Sequence, residues 1–399
     1  MNDSKALSLD GKMKILSVAW TIYDARLEPF MTNYTGAGLV IKNVCEYIGR
    51  KEESYLLIGK TKLPKMQIGN INIVKSDYDS EIVKLKGKDS NYIQYMTSVF
   101  EQAVAEIKPD IINFHGYGDF NFSCIQNICM PKGLLFVVTE HLFIGKKDVD
   151  LFGGYNDKID KEKLLYSIPG INIIAVSNGM KRKILNEFPL VKEEQIKVVL
   201  NGTDFHAEYI RSDLIRKYGI ENKKILLCVG SLNERKNQLQ IISVFAKQPV
   251  LMENICVIFC GSDGLDGKFQ KEIIENNLSD SLIYAGAVSS DDMKKYYSMA
   301  DGLIMPSLAE GLSIAALEAL AYGLPIIMFS DSECADDLND SKVVCMAQNR
   351  TDYDLAQAIM KWYETEWDRE YIKQYSQQFT MEKMAEEYIK YYKSIINKS

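Results

Sequence analysis

Short runs of β-branched and other apolar residues alternate with amphipathic stretches along the first half of the chain. The runs fall at residues 13–20, 110–115, 134–141, 171–177 and 196–202. Apolar runs of this length, bounded by turn residues, are typical of buried strands, and the stretches between them have helical spacing. This alternation of strand and helix predicts a parallel sheet.

The same alternation restarts after a polar segment at residues 204–223. The later strand-like runs fall at residues 224–231, 255–261, 282–286, 302–307 and 325–331. A chain of 399 residues exceeds the size at which a single core stops growing. We therefore expect an α/β protein with two Rossmann-like domains, residues 1–203 and 204–374. The tail at about 375–399 has the spacing of an amphipathic helix.

Composition excludes several classes of protein. The chain is 47% hydrophobic and 25% charged, with a net charge of −7. This acidic balance argues against nucleic acid as the main partner, while a local basic face leaves peripheral contact with an anionic membrane open. The polar N-terminus and the lack of a long apolar run predict a cytoplasmic protein. Eight scattered cysteines and three histidines give no zinc-ligand spacing, so we expect buried free thiols and no metal site.

The most informative stretch is SLAEGLSIAALEALAYG, residues 307–323, in which Glu310 precedes an apolar helix and Glu318 lies inside it. Ser313 is placed to cap this helix, and Gly323 is placed to end it in the left-handed conformation. The preceding apolar run would deliver Glu310 to the carboxyl edge of a parallel sheet, where such folds bind ligands.

A helix start offers unpaired N–H groups to an anion, here in the segment Gly311, Leu312, Ser313 and Ile314. Two carboxylates beside a phosphate site could accept hydrogen bonds from hydroxyl groups. We therefore interpret the stretch as a site for a phosphorylated sugar. The alternative is a solvent-facing Glu310 and a Glu318 that pairs with a lysine.

A second turn, VGSLNERKNQ, begins at the end of the strand-like run at 224–231. It places Lys236 near the start of a helix, where a cation could meet a diphosphate. FCGSDGLDGKFQ, residues 259–270, is not a phosphate-binding P-loop, because the spacing from Gly261 to Gly267 is one residue too long and Phe269 replaces the required hydroxyl residue.

Residues 300–325 resemble the Glu-x7-Glu region of retaining glycosyltransferases of the GT-B fold, family 4 (glycosyl transferases group 1). Residues 229–246 are similar to the Gly-Arg…Lys-Gly element of that family, with Gly230 and Lys236 at matching positions. Ser231 stands where the family has arginine, and Asn237 where it usually has glycine. Arg235 supplies the missing charge if its side chain points into the site; the alternative is a solvated arginine.

Other segments match the family in order. The resemblance makes Gly261 a turn that faces the cleft and Val288 part of the backbone that holds the nucleotide base. Gly36 and Gly38 correspond to the glycine loop under the donor diphosphate, and His141 to a histidine near the reacting bond. By position, the acceptor side would include His115, Tyr117 and Tyr34, each at a strand end or in a loop.

The resemblance implies the function. The fold would be GT-B, with two Rossmann-like domains facing across a cleft and the C-terminal helix crossing back to the first domain. The donor would be a nucleoside diphosphate sugar, transferred with retention, without a metal, to a glycan, a lipid-linked acceptor or a protein. His141, Glu310 and Lys236 would be catalytic, with Glu310 accepting from sugar hydroxyls and Glu318 from the ribose. Bacterial surface glycan assembly is the implied setting.

Three other readings stay open. A metal-dependent transferase of the other common glycosyltransferase fold would use an Asp-x-Asp motif, which Asp77-Tyr-Asp79 and Asp148-Val-Asp150 match loosely. Neither sequence ends an apolar strand, so we interpret both as surface loops. A sugar-nucleotide epimerase or hydrolase would use the same donor site without an acceptor. A catalytically silent subunit would bind a nucleotide sugar in support of a partner transferase. The joint presence of Glu310, Glu318, Lys236 and His141 argues against this alternative, whereas Ser231 in place of arginine leaves it open.

Overall fold

The structure is a computed structural model that describes residues 11–19, 36–59, 65–74, 90–116, 118–143, 156–204, 207 and 213–399. Two predominantly parallel sheets are present in these residues. The strands of the first are β1 Lys14–Ala19, β2 Glu53–Ile58, β3 Met66–Ile68, β4 Ile71–Val74, β5 Ile111–His115, β6 Phe136–Glu140, β7 Ile173–Ala175 and β8 Ile196–Val198. The strands of the second are β9 Lys224–Val229, β10 Ile255–Cys260, β11 Leu282–Gly286, β12 Gly302–Met305, β13 Ile326–Phe329 and β14 Val344–Ala347.

Helices connect many of the successive strands in the described residues. In the first half they are α1 Gly36–Gly49, α2 Ser90–Ile107, α3 Asp119–Cys124, α4 Asn156–Tyr166 and α5 Asn178–Glu187. The second half contains α6 Leu214–Tyr218, α7 Leu239–Lys247, α8 Pro249–Asn254, α9 Lys268–Glu275, α10 Ser290–Met299, α11 Ile314–Ala321, α12 Asp352–Glu364, α13 Arg369–Ser376 and α14 Met381–Ile396.

Strand order is that of doubly wound sheets. The first sheet runs β3-β4-β2-β1-β5-β6-β7-β8, with only the β3–β4 pair antiparallel among its described pairs. The second runs β11-β10-β9-β12-β13-β14 and is parallel throughout. The order reverses direction between β1 and β5 and between β9 and β12. Ligands of such folds bind beyond the carboxyl ends of the strands at these switch points.

Each sheet buries apolar residues on both faces, as the near-continuous apolar runs predicted. The cysteines follow the same pattern, because all eight are free and buried. Burial raises the pKa of these thiols, for example that of Cys228 to about 12, which keeps the thiols protonated.

The C-terminal helix belongs to the core of the first domain. α14 packs along α1, and its residues Met384, Tyr388 and Tyr392 join the apolar cluster that contains Ile15 and Val44. The chain therefore returns to the first sheet after completing the second, as the resemblance implied. The change of sheet lies between β8 and β9, and the boundary at residues 203 and 204 stays a prediction within this interval.

Candidate active site

Glu310 lies in the turn between β12 and α11, beyond the carboxyl end of a strand at the switch point. Gly323 follows α11 with φ of +71°, as the sequence predicted. Ser313 is the N-cap residue by position, but its side chain accepts no capping hydrogen bond, so that part of the prediction was wrong. Contacts from other segments hold the turn instead. Cys334 donates to the Gly311 carbonyl (2.6 Å), and Asn201 donates to the Leu312 carbonyl (2.8 Å).

Lys236 and Arg235 lie in the turn that follows the neighbouring strand, β9. The amide N–H of Lys236 donates to the Asn233 side chain (3.0 Å), which caps the short 3-10 turn Glu234–Lys236. Asn237 comes next with φ of +56°, so asparagine adopts here the conformation for which the family usually has glycine. The two turns are joined directly, because Leu308 donates its amide N–H to the Arg235 carbonyl (2.8 Å).

Both cations converge on one carboxylate. Oε1 of Glu310 accepts from the Lys236 ammonium, lies 3.1 Å from Nη1 of Arg235 and accepts from the hydroxyl of Ser307 (3.2 Å). Burial alone would raise the pKa of Glu310, but the charges of Lys236 and Arg235 outweigh burial and lower this pKa below its ordinary value. Glu310 is therefore a buried anion, and Arg235 points into the site instead of into solvent.

Glu318 lies one helical turn into α11 in a different environment. Its Oε2 accepts from the hydroxyl of Tyr297 (2.8 Å), and Tyr297 in turn stacks on Tyr322. Burial raises the pKa of Glu318 to about 7, although the Tyr297 hydrogen bond acts in the opposite direction. The alternative that Glu318 pairs with a lysine is not what the structure shows.

The other predicted donor residues of the second domain lie along the same sheet edge. The hydroxyl of Ser231 is 2.8 Å from that of Ser262, so the serine that replaces the family arginine contacts the next strand end. Gly261 lies so close to the Gly230 carbonyl that a Cβ at Gly261 would be 2.1 Å from that oxygen. Val288 follows β11 and is half-buried against the core.

In the first domain, His141 follows β6 and His115 ends β5. Their rings are stacked, and Nδ1 of His115 lies 2.9 Å from Nε2 of His141. The other ring nitrogen of His115 lies 3.3 Å from the Asn113 amide nitrogen. His115 is buried and has both nitrogens occupied. Both ring nitrogens therefore have partners inside the protein, and the place of His115 on the acceptor side stays a prediction.

Only some of the other residues predicted for the site in the first domain are among the described residues. α1 begins at Gly36, and Gly38 is buried in its first turn. Nothing in the described structure lies within 4 Å of a Cβ built at Gly36. Tyr34 and Tyr117 lie outside the described residues, as do both Asp-x-Asp sequences.

Glu333 is a residue of this region that the sequence analysis missed. Its Oε2 accepts from the backbone N–H of Glu310 (3.0 Å), and its Oε1 accepts from Lys183 of the first domain (2.8 Å). Glu333 therefore joins the Glu310 turn to α5 across the boundary between the sheets. The one local signal was its position just beyond the carboxyl end of β13, because the partners are 23 and 150 residues away in sequence.

The two domains meet at the Glu310 turn. A Cβ built at Gly311 would lie 2.5 Å from the carbonyl oxygen of His141 and 2.9 Å from Val176, so the turn packs directly on the end of β6. The structure thus brings Glu310, the adjacent pair Arg235 and Lys236, and His141 to one cleft region from three separate segments. Two cations, two carboxylates of unequal pKa and a buried imidazole form a set that can hold a diphosphate and sugar hydroxyls.

Metal-binding clusters and membrane-spanning helices were sought in the part of the chain that the structure describes. No group of three or more histidine, cysteine, aspartate or glutamate side chains there is arranged to hold a metal ion. No described helix is both long enough and apolar enough to cross a bilayer.

Comparisons with known proteins agree with this geometry. Residues 210–379 match the family model described as Glycosyl transferases group 1. An uncharacterized glycosyltransferase of Methanocaldococcus jannaschii, MJ1607, is 26% identical over 234 residues, which are 56% of this chain and 58% of that protein. The structure of sucrose-phosphate synthase from Thermosynechococcus elongatus superposes with a TM-score of 0.79 at 14% identity, over 97% of this chain and 100% of the other.

A further similar structure is that of Anabaena Alr3699/HepE in complex with UDP and glucose, with a TM-score of 0.71 and 15% identity over 96% of this chain and 100% of the other. The chain spans less than two thirds of the length of the curated relatives that it matches first. Residues 210–379 are thus similar to the glycosyl transferases group 1 family, and the chain as a whole has the GT-B fold.

Proposed function

We propose that this protein is a glycosyltransferase that moves a hexose-type sugar from a nucleoside diphosphate sugar to a hydroxyl group of an acceptor, with retention of anomeric configuration. The observation that carries the proposal is the convergence of Lys236 and Arg235 on Glu310 at the switch point of the second sheet. A diphosphate has the charge and the oxygen acceptors that this pair of cations favours.

We assign different hydrogen-bonding roles to Glu310 and Glu318. Glu310, ionised and held by the two cations, accepts hydrogen bonds from hydroxyl groups of the donor sugar. Glu318 accepts from the ribose hydroxyls while Tyr297 holds its other side. The family match and the UDP complex of Anabaena HepE support a nucleotide in the second domain.

Catalysis then follows from the chemistry of the donor. The bond between the anomeric carbon and the diphosphate oxygen breaks, and its electron pair stays on the departing phosphate, where Lys236 and Arg235 stabilise the charge. The acceptor oxygen attacks from the same face of the sugar, and its proton passes to the departing phosphate oxygen. No covalent nucleophile from the protein is required. The contacts between the domains at Gly311 and His141 help to exclude water from the reacting sugar.

The acceptor is the least constrained part of the proposal. We propose a glycan, a lipid-linked glycan or a protein, in the assembly of a surface glycan. Peripheral contact with a membrane and independence from metal ions are part of the same proposal.

The experiment is a nucleotide-release assay with UDP-, GDP- and ADP-sugars, with and without candidate acceptors, and with EDTA in a parallel set. We expect one donor to be hydrolysed slowly and transferred faster when an acceptor is present, with no effect of EDTA. Loss of turnover in EDTA would favour the metal-dependent reading, and no turnover of any donor would favour the silent subunit. Conversion of the donor to an isomeric nucleotide sugar would favour the epimerase.

The variant Glu310→Gln tests the site within this assay. It keeps the shape of the side chain but removes the charge between Lys236 and Arg235, so we expect turnover to fall by about 10²-fold or more. Glu275→Gln is the matched control, because Glu275 is an exposed glutamate of α9 with only a surface ion pair. Thermal unfolding of both variants shows whether a loss of turnover comes from the missing charge or from a less stable fold. Unchanged turnover in Glu310→Gln would refute the assigned role.

A further inference from the structure

A line of buried polar side chains runs from the C-terminal helix to His141. Thr139 donates its hydroxyl to Oδ1 of Asn113 (2.8 Å), and Nδ2 of Asn113 donates to the hydroxyl oxygen of Tyr392 in α14 (2.8 Å). The same Nδ2 lies 3.3 Å from Nε2 of His115, whose Nδ1 lies 2.9 Å from Nε2 of His141. We call Thr139, Asn113, His115 and Tyr392 the His141 network.

The direction of these bonds determines where the imidazole protons lie. An amide nitrogen can only donate, so Nε2 of His115 is the acceptor of the Asn113 bond. A neutral imidazole that accepts at Nε2 carries its hydrogen on Nδ1, and that N–H donates to Nε2 of His141. His141 therefore accepts at Nε2 and carries its own hydrogen on Nδ1.

Both rings are neutral in this arrangement. Burial lowers the pKa of His115 well below its ordinary value, and the neighbouring His141 lowers it further. Burial likewise lowers the pKa of His141 to about 4. His141 is thus a neutral hydrogen-bond donor at pH 7, and its direction of donation is fixed by its neighbour.

Nδ1 of His141 is buried and has no hydrogen-bond partner among the described residues. A buried N–H without a partner costs about 1–3 kcal/mol. Such a group at the end of β6, in a residue whose carbonyl contacts the Glu310 turn, is explained if a ligand oxygen supplies the missing acceptor.

We propose that Asn113, His115 and Tyr392 are positioning residues that hold His141 in the Nδ1–H tautomer, so that it donates this hydrogen bond to an oxygen of the donor sugar. The proposal rests on the proposed function for the identity of the sugar. It adds that the C-terminal helix, through Tyr392, helps to fix the tautomer of His141, which is 251 residues away in sequence.

The direct test is nitrogen NMR of the full chain labelled with ¹⁵N in histidine, which contains only three histidines to assign. The variant His206→Gln removes the signals of the third. We expect His115 and His141 each to show a protonated Nδ1 and an unprotonated Nε2 across pH 6–8. A protonated Nε2 on His141 would overturn the proposal. This measurement needs no turnover, so it stands or falls separately from the proposed function.

Kinetics of two variants test the consequence. His115→Phe keeps a ring at the same place but removes the donor to His141, and Tyr392→Phe removes only the hydroxyl that holds Asn113. We expect kcat for donor turnover to fall at least 10-fold in the first and about 3–10-fold in the second, each with a mixed tautomer spectrum of His141. Binding of UDP, GDP and ADP, measured by calorimetry, should change less than about 2-fold, because the residues of the His141 network pack in the first domain and the proposed nucleotide site lies in the second.

Tyr391→Phe is the matched control for the helix. Tyr391 is the neighbour of Tyr392 in α14, and its hydroxyl has no hydrogen-bond partner among the described residues. We expect its kcat and its histidine spectrum to equal those of the unmodified protein. If Tyr392→Phe matches Tyr391→Phe in both readouts, α14 does not position His141 and the proposal fails. If the spectra are as expected but no donor is turned over, the proposed function fails and the tautomer assignment remains.

Discussion

Glu310 and Glu318 show how environment alone gives two identical residues opposite acid–base properties. They lie eight positions apart in one turn and helix and are both largely buried. Burial favours the neutral acid in both cases. At Glu310 the charges of Lys236 and Arg235 overcome this effect and lower the pKa, whereas at Glu318 only a tyrosine hydroxyl opposes burial and the pKa rises to about 7.

The raised pKa of Glu318 predicts a pH-dependent cost to stability. Because the pKa in the folded state lies above the ordinary value of 4.5, folding favours the protonated acid. The contribution is therefore fully present below about pH 4.5 and is lost as the pH rises through 7. Glu318→Gln removes this loss. We expect the variant to exceed the unmodified protein in free energy of unfolding by something on the order of 1–3 kcal/mol at pH 8, and by little at pH 4.5.

Urea unfolding at the two pH values measures this difference, and Glu275→Gln serves again as the exposed control. Donor binding should move in the other direction, because glutamine accepts more weakly than a carboxylate from the ribose hydroxyls. Equal gains in stability at both pH values would contradict the assigned ionisation of Glu318.

Some residues of the candidate site were predicted from the sequence, and others were missed. The sequence singled out Lys236, Glu310 and Glu318, because local spacing relative to a strand end and a helix start is enough to find them. It left the direction of Arg235 open and missed Glu333, since both depend on partners far along the chain.

Among the elements, the turn between β12 and α11 packs directly against the first domain. Gly311 has no room for a side chain, because a Cβ there would lie 2.5 Å from the His141 carbonyl oxygen. Gly311→Ala should therefore force the turn and the end of β6 apart. We expect donor turnover to fall about 10²-fold, because small displacements at a reacting centre cost this much.

Gly118→Ala is the control, since its φ of −61° suits alanine and nothing described lies within 4 Å of the added Cβ. Measurement of nucleotide release and of thermal unfolding on both variants distinguishes misplacement from unfolding. Turnover in Gly311→Ala equal to that in Gly118→Ala would show that this contact is not needed for catalysis.

The elements themselves were largely predictable from periodicity. The strand-like runs of the sequence correspond to strands of the two sheets, and Gly323 ends α11 with the expected positive φ. The Ser313 cap was wrong because the Glu310 turn is held by Asn201, Glu333 and Cys334 from other segments, which local capping rules do not include.

At the level of the whole molecule, α14 docks on the first domain and stabilises it through buried side chains. Tyr388 is fully buried in the cluster that α14 shares with β1 and α1. Tyr388→Ala should lower the free energy of unfolding of the first domain by about 3–5 kcal/mol, because it leaves a large cavity. Amide hydrogen exchange in α1 should speed up with it, while α7 and α12 of the second domain should keep their rates.

Tyr353→Ala is the control for this prediction, because Tyr353 is 67% exposed on α12 and should leave both domains unchanged. Faster exchange throughout both domains in Tyr388→Ala would mean that they unfold as one unit. Unchanged exchange in α1 would contradict the packing of α14 on it.

Local patterns in the sequence are enough to predict the two α/β halves, the strand ends that carry Lys236 and Glu310, and the helix between Ser313 and Gly323. These features depend on periodicity, turn residues and spacing over a few tens of residues, and such signals are local in the sequence. Packing in three dimensions determines which side chains meet: Arg235 with Glu310, Glu333 with both Glu310 and Lys183, and Asn113 with Tyr392. The physical reason is that burial and pairing depend on segments 23 to 279 residues apart, and no local pattern specifies how such segments pack.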